Sequence, residues 1–163
     1  MVVGIAASGV TPFVRAALQE ARKRGAATAL VTCNPDVPAR AARVVIALAV
    51  GPEVLTGSTR LKAGTATKLA LNTLTTASFA RLGKVYGNRM VDLRPRSAKL
   101  RARALRLVAQ LGRVTPREAE RLLKASGASA KVAIAMARLG VDAKEARRRL
   151  RQSAGSLRKT LET

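Results

Sequence analysis

Apolar and β-branched residues gather in three short runs near the start of the chain, residues 2–7, 28–33 and 44–50. None alternates with polar residues, and each closes on turn chemistry: Ser8-Gly9, Asn34-Pro35 and Gly51-Pro52. Between the first two, Phe13, Val14, Ala17, Leu18 and Ala21 recur at helical spacing, with Arg15, Glu20, Arg22 and Lys23 opposite them. Thr11 is a good cap for that helix, Pro12 suits its first turn, and Gly25 suits its end. Unalternating strands separated by helical segments predict parallel strands buried on both faces, an α/β arrangement.

A hydroxyl-rich stretch, Gly51-Pro52-Glu53-Val54-Leu55-Thr56-Gly57-Ser58-Thr59-Arg60, leads into a helix predicted over residues 61–82. Its Ala, Leu, Thr and Lys put apolar groups on most faces, so it is expected to pack deeply against the sheet. Residues 83–96 read as a connector broken by Gly83, Gly87 and Pro95. From Ser97 the pattern is helical throughout. One helix runs from Ser97 to the Gly112 region, and a second opens on a capping box, Thr115-Pro116-Arg117-Glu118. A third covers Ser129–Leu139, ended by Gly140, and a fourth covers Asp142–Leu150, with continuation past Gly155 to Leu161 left open. Short connections imply antiparallel neighbours in a small bundle. Two domains are expected, 1–96 and 97–163. Three strands leave a sheet edge uncovered, so the chain reads as starting inside a domain.

Composition narrows the chemistry. The 163 residues include no His and one Cys, Cys33, which excludes His-based acid/base catalysis, a disulfide framework and a Cys-cluster metal site. Cys33 reads as a small packing residue rather than a nucleophile, since no His can activate it. Thirty-one Lys+Arg against 9 Asp+Glu give a formal charge of +22. The excess is spread, with 14 basic and 4 acidic residues up to residue 96 and 17 and 5 beyond it. Such a surface attracts polyanions non-specifically, but with two Phe, one Tyr and no Trp it offers almost no base-stacking platform. No apolar run approaches the roughly 18 residues of a membrane span, and the first residues lack a basic leader. A soluble cytoplasmic protein is expected.

Two places bear candidate chemistry. Ser8, Gly9 and Thr11 form a strand–turn–helix junction where backbone N–H groups, a helix dipole and two hydroxyls converge. This is either a phosphomonoester site or an ordinary capped turn. Glu53 stands at the carboxyl end of the third strand, where open parallel sheets place ligands. There it could act as a base, hold sugar hydroxyls, cap the following turn, or pair with Arg60 or Lys62.

The segments AASGVTPFV, TCNPD, GPEVLTGSTRLKAGTATKLALNTLTT and GKVYGNRMVDL, with the closing LRQSAGSLRKTLE, resemble the N-acetylmuramic acid 6-phosphate etherase family. That family belongs with the sugar isomerase (SIS) domains, and its eukaryotic relative is the glucokinase regulatory protein. The resemblance implies a partial SIS-type three-layer parallel sheet followed by a helical domain. It also implies a cytoplasmic homodimer in cell-wall recycling that cleaves a lactyl ether. The products would be N-acetylglucosamine 6-phosphate and D-lactate, formed by elimination and water addition without a metal or redox cofactor. By it, Ser8, Gly9 and Thr11 would bind the sugar phosphate. Glu53 would occupy the position of a catalytic glutamate, and Ser58, Thr59 and Lys62 would shape the sugar pocket. The family's first half, with its own phosphate loop and acid/base glutamates, has no counterpart here. The expectation is therefore a shortened etherase that keeps part of a site and is completed by a second copy or a separate N-terminal half. A non-catalytic sugar-phosphate-binding or regulatory module is the alternative, and a basic nucleic-acid-associated protein a third.

Overall fold

A computed structural model describes residues 1–162, and they divide into two compact units, Met1–Leu74 and 75–162. The first unit is α/β. Strands β1 (Val2–Ile5), β2 (Thr28–Thr32) and β3 (Val44–Ala47) form a parallel sheet in the order β1-β2-β3, with Gly4 level with Leu30 and Val31 level with Ile46. Helix α1 (Pro12–Lys23) crosses between β1 and β2, and a 3-10 turn, Ala39–Ala41, precedes β3. Gly4 lets α1 come close. A Cβ there would stand 2.6 Å from Val14 Cγ1 and 3.0 Å from Leu18 Cδ1. Ala6, Leu18, Leu30, Val37 and Ala42 make the small core on this side of the sheet.

Burial on both faces holds for β2, buried at all five positions, but not for its neighbours. Register puts Val3, Ile5 and Val44 on the face away from α1, and they are 41%, 46% and 49% exposed. The expected burial needed a second apolar layer, and these edge-strand positions lack one. Deep packing of the long helix fails for the same reason. In α2 (Lys62–Arg81) the buried residue is Ala63, while Leu69, Leu74 and Phe79 are exposed. An apolar surface all round shows that a helix wants cover, not that this sequence supplies it.

The second unit begins inside α2 and continues through the segment read as a connector. That segment contains an antiparallel hairpin, β4 (Val85–Tyr86) and β5 (Arg89–Met90), around a two-residue Gly87-Asn88 loop with Gly87 at φ 59. Glycine at the first central position is what such a loop requires. Helices α3 (Ala98–Gly112), α4 (Pro116–Ala125) and α5 (Ala130–Leu139) then pack on one another, and α6 (Ala143–Gln152) and α7 (Leu157–Glu162) close the bundle. The last helical stretch is thus two helices, broken where Ala154 and Gly155 take φ 51 and 77. Ser97, Thr115, Ser129 and Asp142 each cap with a side-chain oxygen. In the Thr115 box the forward half forms, at 3.2 Å to the Glu118 N–H, while the Glu118 carboxylate turns to Arg121. The core here is larger and includes Val91, Val108, Leu122, Leu123, Ile134, Leu150 and Leu157.

Candidate functional site

A parallel sheet sends the loops after its strands to one edge, so the segments after β1, β2 and β3 share the carboxyl end. After β1 the chain turns at Ser8-Gly9. Gly9 N–H donates to the Ala6 carbonyl at 2.9 Å. Gly9 has φ 70, and a Cβ on it would lie 2.2 Å from Val37 Cγ2 and 2.9 Å from Thr32 Oγ1. Only glycine fits the turn. Ser8 is exposed; its Oγ accepts from Val10 N–H at 3.4 Å, and its carbonyl accepts from Asn34 Nδ2 at 3.1 Å. Thr11 does not cap α1, since its side chain makes no cap hydrogen bond. Its backbone φ of −55 with Pro12 at the first turn places it at the helix start, and its exposed hydroxyl is left outside the capping geometry.

Three residues not read as site candidates build this turn. Thr32 Oγ1 donates to the Ala7 carbonyl at 3.1 Å and accepts from Asn34 N–H at 3.2 Å. Asn34 Oδ1 accepts from Asp36 N–H at 2.9 Å, an Asx turn, and Arg15 Nε donates to the Gly9 carbonyl at 3.3 Å. The signal for Asn34 was in the sequence, because Asn-Pro-Asp invites such a turn.

After β3, Glu53 is half-buried and its carboxylate is occupied. Oε2 accepts from Lys62 N–H at 3.0 Å and Oε1 from Ala63 N–H at 2.9 Å, the first amides of α2. These two bonds, Ala63 first and then Lys62, hold its pKa below the usual carboxylate value, with the Lys62 charge assisting. A carboxylate so placed clamps the two ends of the loop it spans. Within that loop Ser58 and Thr59 lie in turns closed to Leu55 and Gly57. Lys62 lines an open cleft of about 560 Å³ with Arg60, Leu61, Thr65, Ala66 and Leu69. Ser8, Gly9 and Thr11 do not line that cleft. Two strand spacings, about 10 Å, separate the β1 and β3 loops. Cys33, at the end of β2, has its Sγ 3.7 Å from the Ala63 carbonyl and 3.9 Å from Thr67 Oγ1.

These features define the class: a parallel α/β unit with polar loops gathered at the carboxyl edge of its sheet, joined to a basic helical unit. No family model matches the chain. It is similar to curated proteins, being 53% identical over 163 residues to N-acetylmuramic acid 6-phosphate etherase 2 of Vibrio cholerae serotype O1, which covers 99% of this chain and 53% of that protein. It is 51% identical over 162 residues to the N-acetylmuramic acid 6-phosphate etherases of Yersinia pestis strain Pestoides F and Yersinia pseudotuberculosis serotype O:1b, covering 99% of this chain and 55% of each. The chain is thus a partial-length homologue of N-acetylmuramic acid 6-phosphate etherases and spans about half of their length. No helix among the described residues is long and apolar enough to cross a membrane.

Proposed function

We propose that this chain carries part of a cytoplasmic N-acetylmuramic acid 6-phosphate etherase in cell-wall amino-sugar recycling. Residues 1–96 would be a partial SIS-type domain and 97–163 a helical domain. The observation that carries the reading is identity above one half, across 99% of the chain, with proteins of that name. The reaction is elimination. A base removes the proton beside the carbonyl carbon, an acid assists departure of D-lactate, and water adds to give N-acetylglucosamine 6-phosphate. The Ser8-Gly9-Thr11 turn supplies N–H groups and hydroxyls for the phosphate, and Ser58, Thr59 and Lys62 border the sugar.

Glu53 suits a positioning role in this reaction better than proton abstraction. To act as a base it would give up two backbone hydrogen bonds, and its lowered pKa weakens it for that task. The acid and base then come from the half of the relatives' length that this sequence does not match. The same occupied carboxylate favours a second reading, a sugar-phosphate-binding module without turnover.

The test is lactate release from N-acetylmuramic acid 6-phosphate by the chain alone and mixed with the first half of a relative. Turnover only in the mixture, little reduced by Glu53→Ala in kcat but weaker in KM, supports the reading. Turnover by the chain alone that Glu53→Gln abolishes would return Glu53 to the role of base. Inactivity in both settings, with sugar-phosphate binding retained, would favour the binding module.

A further inference from the structure

Seven consecutive residues of α5, 130–136, are buried. Six of them are Ala, Val, Ile or Met. The seventh is Lys131, only 9% exposed. A buried ammonium is costly unless an anion stands beside it. Lys131 Nζ donates to the Gly155 carbonyl at 3.1 Å, a neutral acceptor that takes one of its three protons. The nearby carboxylate oxygen, Asp92 Oδ1, is 3.7 Å away, beyond hydrogen-bond reach. Asp92 also faces Lys84, through Oδ2 at 3.7 Å. One exposed carboxylate therefore serves two ammonium groups.

Lys131 lines a cleft of about 500 Å³ into which Arg94, Arg147 and Arg151 also face, with Asp92 the acidic residue of the lining. Arg147 is held in place by neutral acceptors: Nη2 donates to the Ser126 carbonyl at 2.8 Å and Nη1 to that of Ala143 at 3.4 Å. Its orientation is fixed while its charge is left uncompensated. The amino end of α5, capped by Ser129, opens on the same cleft and adds the positive end of its dipole. Fastening the turn between α6 and α7 explains the Lys131–Gly155 bond, but not three arginines around the same space.

We propose that this cleft is a binding site for a phosphate monoester, with Lys131 as its buried anchor and Arg94, Arg147 and Arg151 at its rim. Four cations drawn from three segments suit a tetrahedral dianion, whereas a planar carboxylate is served by one guanidinium fork. The volume admits a phosphorylated sugar as well as free phosphate. The site is built wholly of second-unit residues and does not depend on the Ser8–Thr11 turn.

The test is calorimetric titration of the full chain at fixed ionic strength, with inorganic phosphate and with N-acetylglucosamine 6-phosphate. Lys131→Met and Arg151→Gln are each expected to weaken both ligands by roughly tenfold or more, the loss of a charge-assisted hydrogen bond. Arg103→Gln, on the exposed face of α3 and outside the cleft, should change them less than about twofold. Should Lys131→Met fail to fold, Arg151→Gln decides alone, since its side chain is exposed. Equal losses in Arg151→Gln and Arg103→Gln would mean general attraction to a basic surface and overturn the proposal. Sugar-phosphate binding lost in Ser8→Ala but intact in Arg151→Gln would overturn it too, while leaving the function proposed above standing. The converse pattern would uphold the cleft and count against the turn.

Discussion

At the scale of single residues, Glu53 shows how one carboxylate can satisfy a structural demand in a place where catalysis is expected. Its two oxygens take the first two amides of α2, donors that a helix start otherwise leaves open. Because those bonds exist only in the folded chain, its folded pKa lies below the unfolded value of 4.5. A depressed carboxylate contributes stability above its unfolded pKa and loses it as pH falls through the folded one. Amide protection at Lys62 and Ala63, taken relative to the intrinsic exchange rate at each pH, should therefore be full above pH 4.5 and decline progressively below it. In Glu53→Gln the two amides should exchange faster at neutral pH as well, and the acid-dependent step should vanish. Protection unchanged in that variant would show that the clamp does not hold the loop. Among the alternatives legible in the sequence, base and cap stood side by side, because a glutamate after Gly51-Pro52 satisfies both patterns. Spacing could not report where its oxygens turn. Ser8 and Gly9 were easier to read, since the left-handed backbone at a tight βα turn nearly dictates glycine. Thr11 was harder: threonine before proline looks like a cap, yet its hydroxyl does not bond into the helix.

At the scale of elements, strands and amphipathic helices were legible wherever one face is buried by this chain. Helix α4 shows it, with Ala119, Leu122 and Leu123 buried and Glu120, Arg121 and Lys124 outside. Helix α2 carries no such one-sided signal, so its fate depended on partners that sequence periodicity does not name. The hairpin was missed because two-residue strands are too short for any period, although Gly87-Asn88 carried its turn signal. These differences have measurable consequences. Leu30 is 1% exposed in the small core beneath α1, so Leu30→Ala should cost about 3 kcal/mol in urea unfolding. Leu69, 62% exposed on α2, should lose less than about 0.5 kcal/mol on the same truncation. A cost at Leu69 approaching that at Leu30 would mean that the helix is covered in solution, and its dependence on protein concentration would then show whether a second copy does so.

At the scale of the whole molecule, charge is the dominant feature, and its placement follows the structural division. The unit Met1–Leu74 carries nine basic and three acidic side chains, whereas Thr75–Thr163 carries twenty-two and six. Most acids of the second unit are already engaged: Glu118 with Arg121, Glu120 with Arg101, Glu145 with Arg148 and Arg149, and Asp92 with Lys84 and Lys131. Two opposite salt effects compete here. Screening weakens these ion pairs, but they are largely exposed and individually weak. Screening also relieves repulsion among the many cations left without a carboxylate, which acts over the whole unit. Repulsion should win, so the melting temperature should rise with sodium chloride, most steeply below about 0.15 M, where the Debye length shrinks to about 8 Å. A fall across that range would mean that the ion pairs dominate. Phosphate at matched ionic strength separates general screening from a site. Screening alone gives the same curve for both salts, whereas occupancy of the Lys131 cleft adds a further rise that saturates with phosphate and disappears in Arg151→Gln.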